Sequence, residues 1–237
     1  MQTPEPDQSV RRFQRRLLAW YRKSGRKLPW RRTRDPYRIL VSEVMLQQTQ
    51  VERVKGYYRR FLRRYPTFED LAAASEPAVR ESWEGLGYYA RARNLRATAQ
   101  IVVAEHGGRL PADSKTIQGL PGIGRYTAGA VLSIAFGKDE PILDTNAARV
   151  LARAFAVRAQ GGKAALQRRL WTLAARVTPA RSAGDFNQAI MDLGATVCRA
   201  RDPDCPSCPV RCECATFPAA RRRLERRRRL TSARRPS

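Results

Sequence analysis

Apolar positions recur at steps of three and four along most of the chain. Val51, Val54, Tyr58, Phe61, Leu62 and Tyr65 form one such stripe. Leu166, Leu170, Leu173, Ala174 and Val177 form a second, and Phe186, Ala189, Ile190, Leu193 and Val197 a third. This spacing returns side chains to one face of a helix, not of a strand. The stretch from Ser9 to Tyr21 reads as a further helix. Period-2 runs joined by hairpin turns are absent, so the pattern predicts an all-α chain. Turn punctuation falls at Gly85-Leu86-Gly87, Gly107-Gly108, Pro121-Gly122-Ile123-Gly124 and Gly161-Gly162. No internal repeat is visible, and a boundary between two lobes is expected near Phe136-Gly137.

At 237 residues, 43% of them hydrophobic, the chain can bury a real core as one large domain or two small ones. No apolar run reaches the roughly 18 to 20 residues that cross a bilayer, and the N-terminus lacks an apolar signal segment. A soluble, cytoplasmic protein is expected. Charge then narrows the choice of partner. The 46 Lys+Arg against 21 Asp+Glu give a formal net charge of +25, a field that gathers polyanions, nucleic acid foremost. A genome rich in G and C would also inflate arginine without any selection for binding. Part of the excess sits in a run from Arg221 that reads as a disordered tail, yet the body stays strongly basic without it. His106 is the only histidine, so chemistry falls to carboxylates, Tyr, Lys or Cys.

All five cysteines (Cys198, Cys205, Cys208, Cys212 and Cys214) lie in the last fifth of the chain, so no disulfide framework can staple the whole fold. Four of them read Cys198-x6-Cys205-x2-Cys208-x5-Cys214, a set that suits tetrahedral zinc or a [4Fe–4S] cluster. One C-x2-C pair instead of two, with Pro203, Pro206 and Pro209 in short loops, favours iron–sulfur. On spacing alone zinc stays open. Cys212 is the spare thiol.

The most mechanical motif is Leu120-Pro121-Gly122-Ile123-Gly124-Arg125-Tyr126. A helix is expected to end near Gln118, Pro121-Gly122 to turn the chain, and a small-residue helix to follow. Its first N–H groups would stand beside glycines that let a phosphate approach closely, reading the DNA backbone without reading sequence. An ordinary helix–turn–helix corner is the plainer alternative.

These features together resemble the iron–sulfur branch of the helix–hairpin–helix DNA glycosylase superfamily. The resemblance rests on the hairpin, on Leu143-Asp144-Thr145-Asn146 about twenty residues later, and on the cysteine spacing. Within that branch, Ser42-Glu43-Val44-Met45-Leu46-Gln47-Gln48-Thr49-Gln50-Val51 is similar to the MutY-type adenine glycosylases. So are Gly85-Leu86-Gly87-Tyr88-Tyr89-Ala90-Arg91-Ala92-Arg93-Asn94 and Phe186-Asn187-Gln188-Ala189-Ile190-Met191-Asp192-Leu193-Gly194. The resemblance runs from about Leu28 to Ala215. It implies a monomeric, two-lobed all-α fold with the DNA cleft between lobes and a C-terminal [4Fe–4S] loop held by Cys198, Cys205, Cys208 and Cys214. The expected division is an N-terminal helix (1–28) packing with the cluster lobe, a helical barrel with the hairpin (29–136), the cluster lobe (137–215) and a basic tail (216–237).

The implied activity is excision of adenine mispaired with guanine or 8-oxoguanine in double-stranded DNA, during base excision repair. A glycosylase flips the nucleotide out, and bond breaking builds positive charge on the sugar and negative charge on the base. Two carboxylates can serve the two ends. Glu43 matches the acid that protonates the base, and Asp144 the carboxylate that stabilises the sugar. Asn146 would orient Asp144, and Tyr126 would contribute its hydroxyl. Read without the family, Glu43 is a helix-start residue and Asp144 an N-cap. In the bifunctional relatives a Lys occupies position 126 and forms a Schiff base; here it is Tyr, and Lys23, Lys27, Lys55, Lys115, Lys138 and Lys163 all lie outside the motif. A monofunctional enzyme is therefore expected.

For DNA contact the resemblance implies Gln48 as the wedge, Leu86 and Tyr88 near the opposite base, and Gly122 and Gly124 at the backbone. Arg31 matches a pocket-side position, and Gln188 stands where some relatives carry a Glu. Adenine glycosylases of this type continue past the cluster into a β-rich domain for 8-oxoguanine, whereas these residues stop about twenty past Cys214. That departure tells against a strict requirement for 8-oxoguanine. A G·T/G·U mismatch thymine (uracil) glycosylase and a catalytically silent iron–sulfur DNA-binding protein are the alternatives.

Overall fold

The computed structural model describes residues 7–218. The expected tail lies outside them from residue 219 onward. Among the described residues the regular structure is helical throughout, with no strand. No helix is long and apolar enough to cross a membrane.

The chain forms two compact units: Lys27–Glu140, and the N-terminal segment up to Arg26 joined by the chain from Pro141 onward. The second unit carries α1 (Gln8–Ser24), α9 (Thr145–Ala154), α10 (Gly162–Val177) and α11 (Ala183–Thr196). Asp7 caps α1 by accepting from the Val10 N–H. One face of α1 presents Val10, Phe13 and Leu17, all 0% exposed, to a core completed by Val150, Leu151, Leu170, Phe186, Ile190 and Leu193. The Phe13 ring packs 5.3 Å from Phe155 and edge-on to Phe186. Helices α9 and α11 meet closely at Gly194, where an added Cβ would lie 2.6 Å from Asn146 Cβ. Only glycine fits that crossing.

The contiguous unit holds α2 (Pro36–Leu46), α3 (Val51–Arg64), α4 (Phe68–Ala73), α5 (Glu76–Ser82), α6 (Ala90–His106), α7 (Ser114–Gln118) and α8 (Arg125–Ile134), preceded by a 3-10 turn at Pro29–Arg31. Helix α2 is buried along nearly its whole length, from Tyr37 through Met45. It packs on α3, α6 and α8. Aromatic edges fill the rest: Phe61 on Trp83, Trp30 on Tyr58 and Tyr37 on Phe68. The Tyr37 hydroxyl donates to the Tyr65 carbonyl at 2.7 Å, and burial pushes its pKa well above the ordinary phenol value. The expected all-α class is observed, and the helices foreseen from Ser9, Val51, Leu166 and Phe186 all form.

Candidate functional site

In the contiguous unit Glu43 lies in the last turn of α2, not at a helix start, and is 5% exposed. The helix-start reading fails because the N-cap is Asp35, followed at once by Pro36. Gln47, just past the helix, donates to Thr127 Oγ1 of α8 at 3.3 Å. Tyr126 stands half-buried in the first turn of α8, and Arg31, also half-buried, ends the 3-10 turn.

The hairpin forms as read. Helix α7 is capped by Asp113, whose carboxylate accepts from the Thr116 N–H at 2.8 Å, which holds its pKa below the ordinary carboxylate value. The Ile123 N–H bonds back to Leu120 O, and Thr98 Oγ1 of α6 donates to Pro121 O, pinning the turn from below. Gly122 takes a φ of +74, and Gly124 is the N-cap of α8 with open space where a Cβ would project. A cap without a side chain leaves the first N–H groups of α8 facing outward, the arrangement that suits an anion.

Beside α2 two loops come together. Gln48 and Tyr88 are the non-glycine residues of this unit with positive φ, +55 and +50. Gln48 is exposed and Tyr88 is 61% exposed, while Leu86 is buried at 5%. Of the three residues expected to probe the duplex, Gln48 and Tyr88 are exposed and Leu86 is buried. Sequence reading missed what holds this arrangement. Arg91, 8% exposed, donates from Nη1 to the carbonyls of Val44, Met45 and Gln47 and from Nη2 to those of Leu86 and Gly87. Its position four residues before Leu95, on the stripe that continues through Ala99 and Val102, was a legible signal.

In the other unit Asp144 is the N-cap of α9. Its Oδ1 accepts from the Ala147 N–H at 2.6 Å and its Oδ2 from Asn146 Nδ2 at 3.0 Å. Asn146 Oδ1 in turn accepts from Arg149 Nη2 at 2.7 Å. Arg149 also donates to Gly194 O at 2.7 Å and to the backbone carbonyl of Cys198 at 2.8 Å. The plain N-cap reading and the orienting role given to Asn146 describe one and the same geometry. Gln188 is buried on α11 and accepts from the Tyr21 hydroxyl at 3.2 Å. Four residues on, Asp192 is fully buried and accepts from Arg26, Nε to Oδ1 at 2.6 Å.

Cys198, Cys205, Cys208 and Cys214 line one small cavity together with Arg153, Val197 and Phe217. Arg153 Nη1 lies 3.5 Å from Cys198 Sγ and 2.7 Å from Arg199 O. Burial pushes the Cys208 thiol up to about 12, with the neighbouring cysteines adding to the rise, and raises Cys205 for the same reasons. Among the described residues no three His, Cys, Asp or Glu side chains gather into a group that could hold a single metal ion; what the four cysteines share is the wall of that cavity. Cys212 is exposed and lies off it. A four-thiolate donor set around one cavity fits an iron–sulfur cluster. Glu213, its side chain 6% exposed, bonds Arg16 at 3.0 Å and lies 3.8 Å from Arg12, fastening this segment to α1.

Comparison with known proteins gives this geometry a family. The chain is 46% identical over 232 residues to an adenine DNA glycosylase of Homo sapiens, covering 94% of this chain and 42% of that one. It is 43% identical over 195 residues to an adenine DNA glycosylase of Mycobacterium tuberculosis, covering 82% of this chain and 64% of that one. It thus spans less than two thirds of these curated relatives. A thermostable thymine-DNA glycosylase superposes with a TM-score of 0.80 at 33% identity, over 89% of this chain and 97% of that one. Endonuclease III, trapped covalently on DNA, shares the fold at a TM-score of 0.75 and 24% identity, over 90% of this chain and 97% of that one. Residues 41–176 match the HhH-GPD superfamily, a stretch that takes in Glu43, the hairpin and Asp144. The chain belongs to the HhH-GPD superfamily of base excision DNA repair proteins.

Proposed function

We propose that this chain is a monofunctional DNA glycosylase that excises adenine mispaired with guanine or 8-oxoguanine in double-stranded DNA, hydrolysing the N-glycosidic bond. The observation that carries the reading is Asp144, whose two carboxylate oxygens are fixed by the Ala147 N–H and the Asn146 amide. A carboxylate oriented this way can face positive charge developing on a sugar without reorganising as the bond breaks. At about 4 Å and an effective dielectric near 20 the attraction is roughly 4 kcal/mol, or about three decades in rate.

Glu43 supplies the proton that the departing base takes up. Its buried seat in the last turn of α2 suits a carboxyl that must carry a proton near neutral pH. Tyr126 contributes a hydroxyl where a Schiff-base lysine would stand in a bifunctional enzyme, so the product is an abasic site with the strand intact. Gly122 and Gly124 seat the backbone on the hairpin, and Gln48 and Tyr88 enter the stack where the target is flipped. Cys198, Cys205, Cys208 and Cys214 would hold a [4Fe–4S] cluster, whose binding would order the loop that carries them.

The identities to adenine glycosylases from two kingdoms of life support adenine as the base. The test is single-turnover base release from duplexes carrying A·8-oxoguanine, A·G, G·T and G·U, followed by alkali. Strand breakage at adenine only after alkali is expected, and it should be lost by at least three decades in Asp144→Asn. Release of thymine or uracil with adenine untouched would transfer the reading to a mismatch thymine glycosylase. Binding to all four duplexes with no release would leave a silent DNA-binding protein.

A further inference from the structure

We infer that Arg91 is a positioning residue for mismatch recognition: one buried guanidinium locks the Gln47–Thr49 and Leu86–Tyr88 loops into the single pair of conformations that projects Gln48 and Tyr88. The inference rests on the glycosylase reading above and adds to it a residue that touches no nucleotide.

Three observations carry it. The first is the reach of the side chain. Nη1 meets the carbonyls of Val44 (3.0 Å), Met45 (2.8 Å) and Gln47 (2.5 Å). Nη2 meets Thr49 Oγ1 (3.1 Å), Leu86 O (3.3 Å) and Gly87 O (3.0 Å). Both loops are thus held by the same planar group. The carbonyls at the end of α2 have no intrahelical partner, so a cation there satisfies the helix end as well as the loop.

The second is strain. Gln48 and Tyr88, each beside a carbonyl that Arg91 holds, sit in the left-handed region that side chains rarely adopt. Such conformations persist only where surrounding contacts over-determine them. Their two side chains are the ones left exposed, and the Arg91 guanidinium lies 5.6 Å from the ring centre of Tyr88 and equally from that of Trp83. The third is the expense of the arrangement. Arg91 is 8% exposed, its contacts are backbone carbonyls, one hydroxyl and two rings, and burial lowers its pKa. A loop junction that needed only stability could be closed by apolar side chains. A fork of donors from one atom group is required where several carbonyls of two loops must keep fixed relative positions.

Lysine keeps the charge but cannot span both loops. The experiment compares wild type, Arg91→Lys and Thr49→Val, the last removing one Arg91 contact without touching the buried charge. Each is measured for urea stability, for affinity to a matched duplex, for affinity to a duplex with an abasic analogue opposite guanine, and for single-turnover adenine release. Arg91→Lys is expected to bind the matched duplex as wild type does, while its preference for the abasic analogue and its release rate fall at least tenfold. Thr49→Val should move both in the same direction by a smaller factor. The decisive arm repeats Arg91→Lys in a Gln48→Ala/Tyr88→Ala background, where little further loss is expected because the residues through which it acts are gone. An equal loss in that background, or a loss of matched-duplex affinity in step with stability, would overturn the inference. Should Arg91→Lys not fold, Thr49→Val in the two backgrounds decides by the same criterion. If wild type itself neither releases adenine nor prefers the abasic analogue, the glycosylase reading fails and takes this one with it; a competent wild type with indifferent variants sinks the inference alone.

Discussion

A Cβ added at Gly122 would lie 2.9 Å from the Asn94 side chain, at a φ of +74. Both facts follow from the sharpness of the hairpin between α7 and α8, and both bear on one substitution. Gly122→Ala should cost about 1 to 3 kcal/mol of stability from left-handed strain and crowding together. Because the turn sets the direction of the first N–H groups of α8, affinity for matched duplex should also drop, by about tenfold. Urea titration and fluorescence anisotropy would measure the two effects separately. Unchanged affinity in a destabilised variant would remove the hairpin from the DNA-binding surface. Asp144 was legible as an N-cap because Thr145-Asn146 follows it and the capping oxygen acts within three residues. Arg91 and Arg93 lie two residues apart in the same stretch, and one is buried where the other is exposed. Residue type does not distinguish them; the register of α6 does.

At the scale of elements, α1 is the instructive case. The stretch from Ser9 to Tyr21 was readable as a helix, but the individual side chains it packs on lie more than a hundred residues downstream, on α9 and α11. Phe13 is 0% exposed and touches the rings of Phe155 and Phe186. Phe13→Ala should cost about 3 to 5 kcal/mol, through lost transfer energy plus the cavity left behind. Circular dichroism during urea unfolding would show a lower midpoint with little change in slope. A cost below about 1 kcal/mol would mean that α1 does not pack as described. The segment between Cys212 and Cys214 is tied to the same helix through Glu213, Arg12 and Arg16, so loosening α1 should also loosen the cysteine loop.

On the scale of the whole molecule, the chain leaves one compact unit and returns to it. The contiguous unit, Lys27–Glu140, draws its core from its own residues, with Leu40, Met45, Phe61, Trp83, Leu95 and Leu132 nearly inaccessible. Expressed alone, 27–140 should therefore fold cooperatively, giving a sigmoidal melt and native-like near-ultraviolet dichroism from Trp30 and Trp83. A fragment beginning at Pro141 lacks Val10, Phe13 and Leu17 and should remain partly unfolded until a peptide of residues 7–26 is added. A fragment that folds fully without the peptide would contradict the division. The formal net charge of +25 belongs to this scale too. It sets long-range attraction to DNA and its salt dependence, and says nothing of which base is removed.

Helical class, the hairpin, the grouping of cysteines and the cap at Asp144 were determined by the sequence alone. Each depends on neighbours within a few residues, and a helical period, a glycine turn or a ligand spacing is written in the chain itself. Helix packing, by contrast, fixed which side chains meet across long stretches. Glu43 became a buried residue at a helix end because Asp35-Pro36 starts α2 earlier than the motif suggests. Leu86 turned inward while Tyr88 turned out, and one guanidinium gathered carbonyls from residues 44 to 87. Asn146 and Arg149 joined Asp144 to the backbone of Cys198 only because α9 packs on α11 at Gly194. Such contacts are fixed by the packing of whole helices, and no local pattern of residue types encodes them.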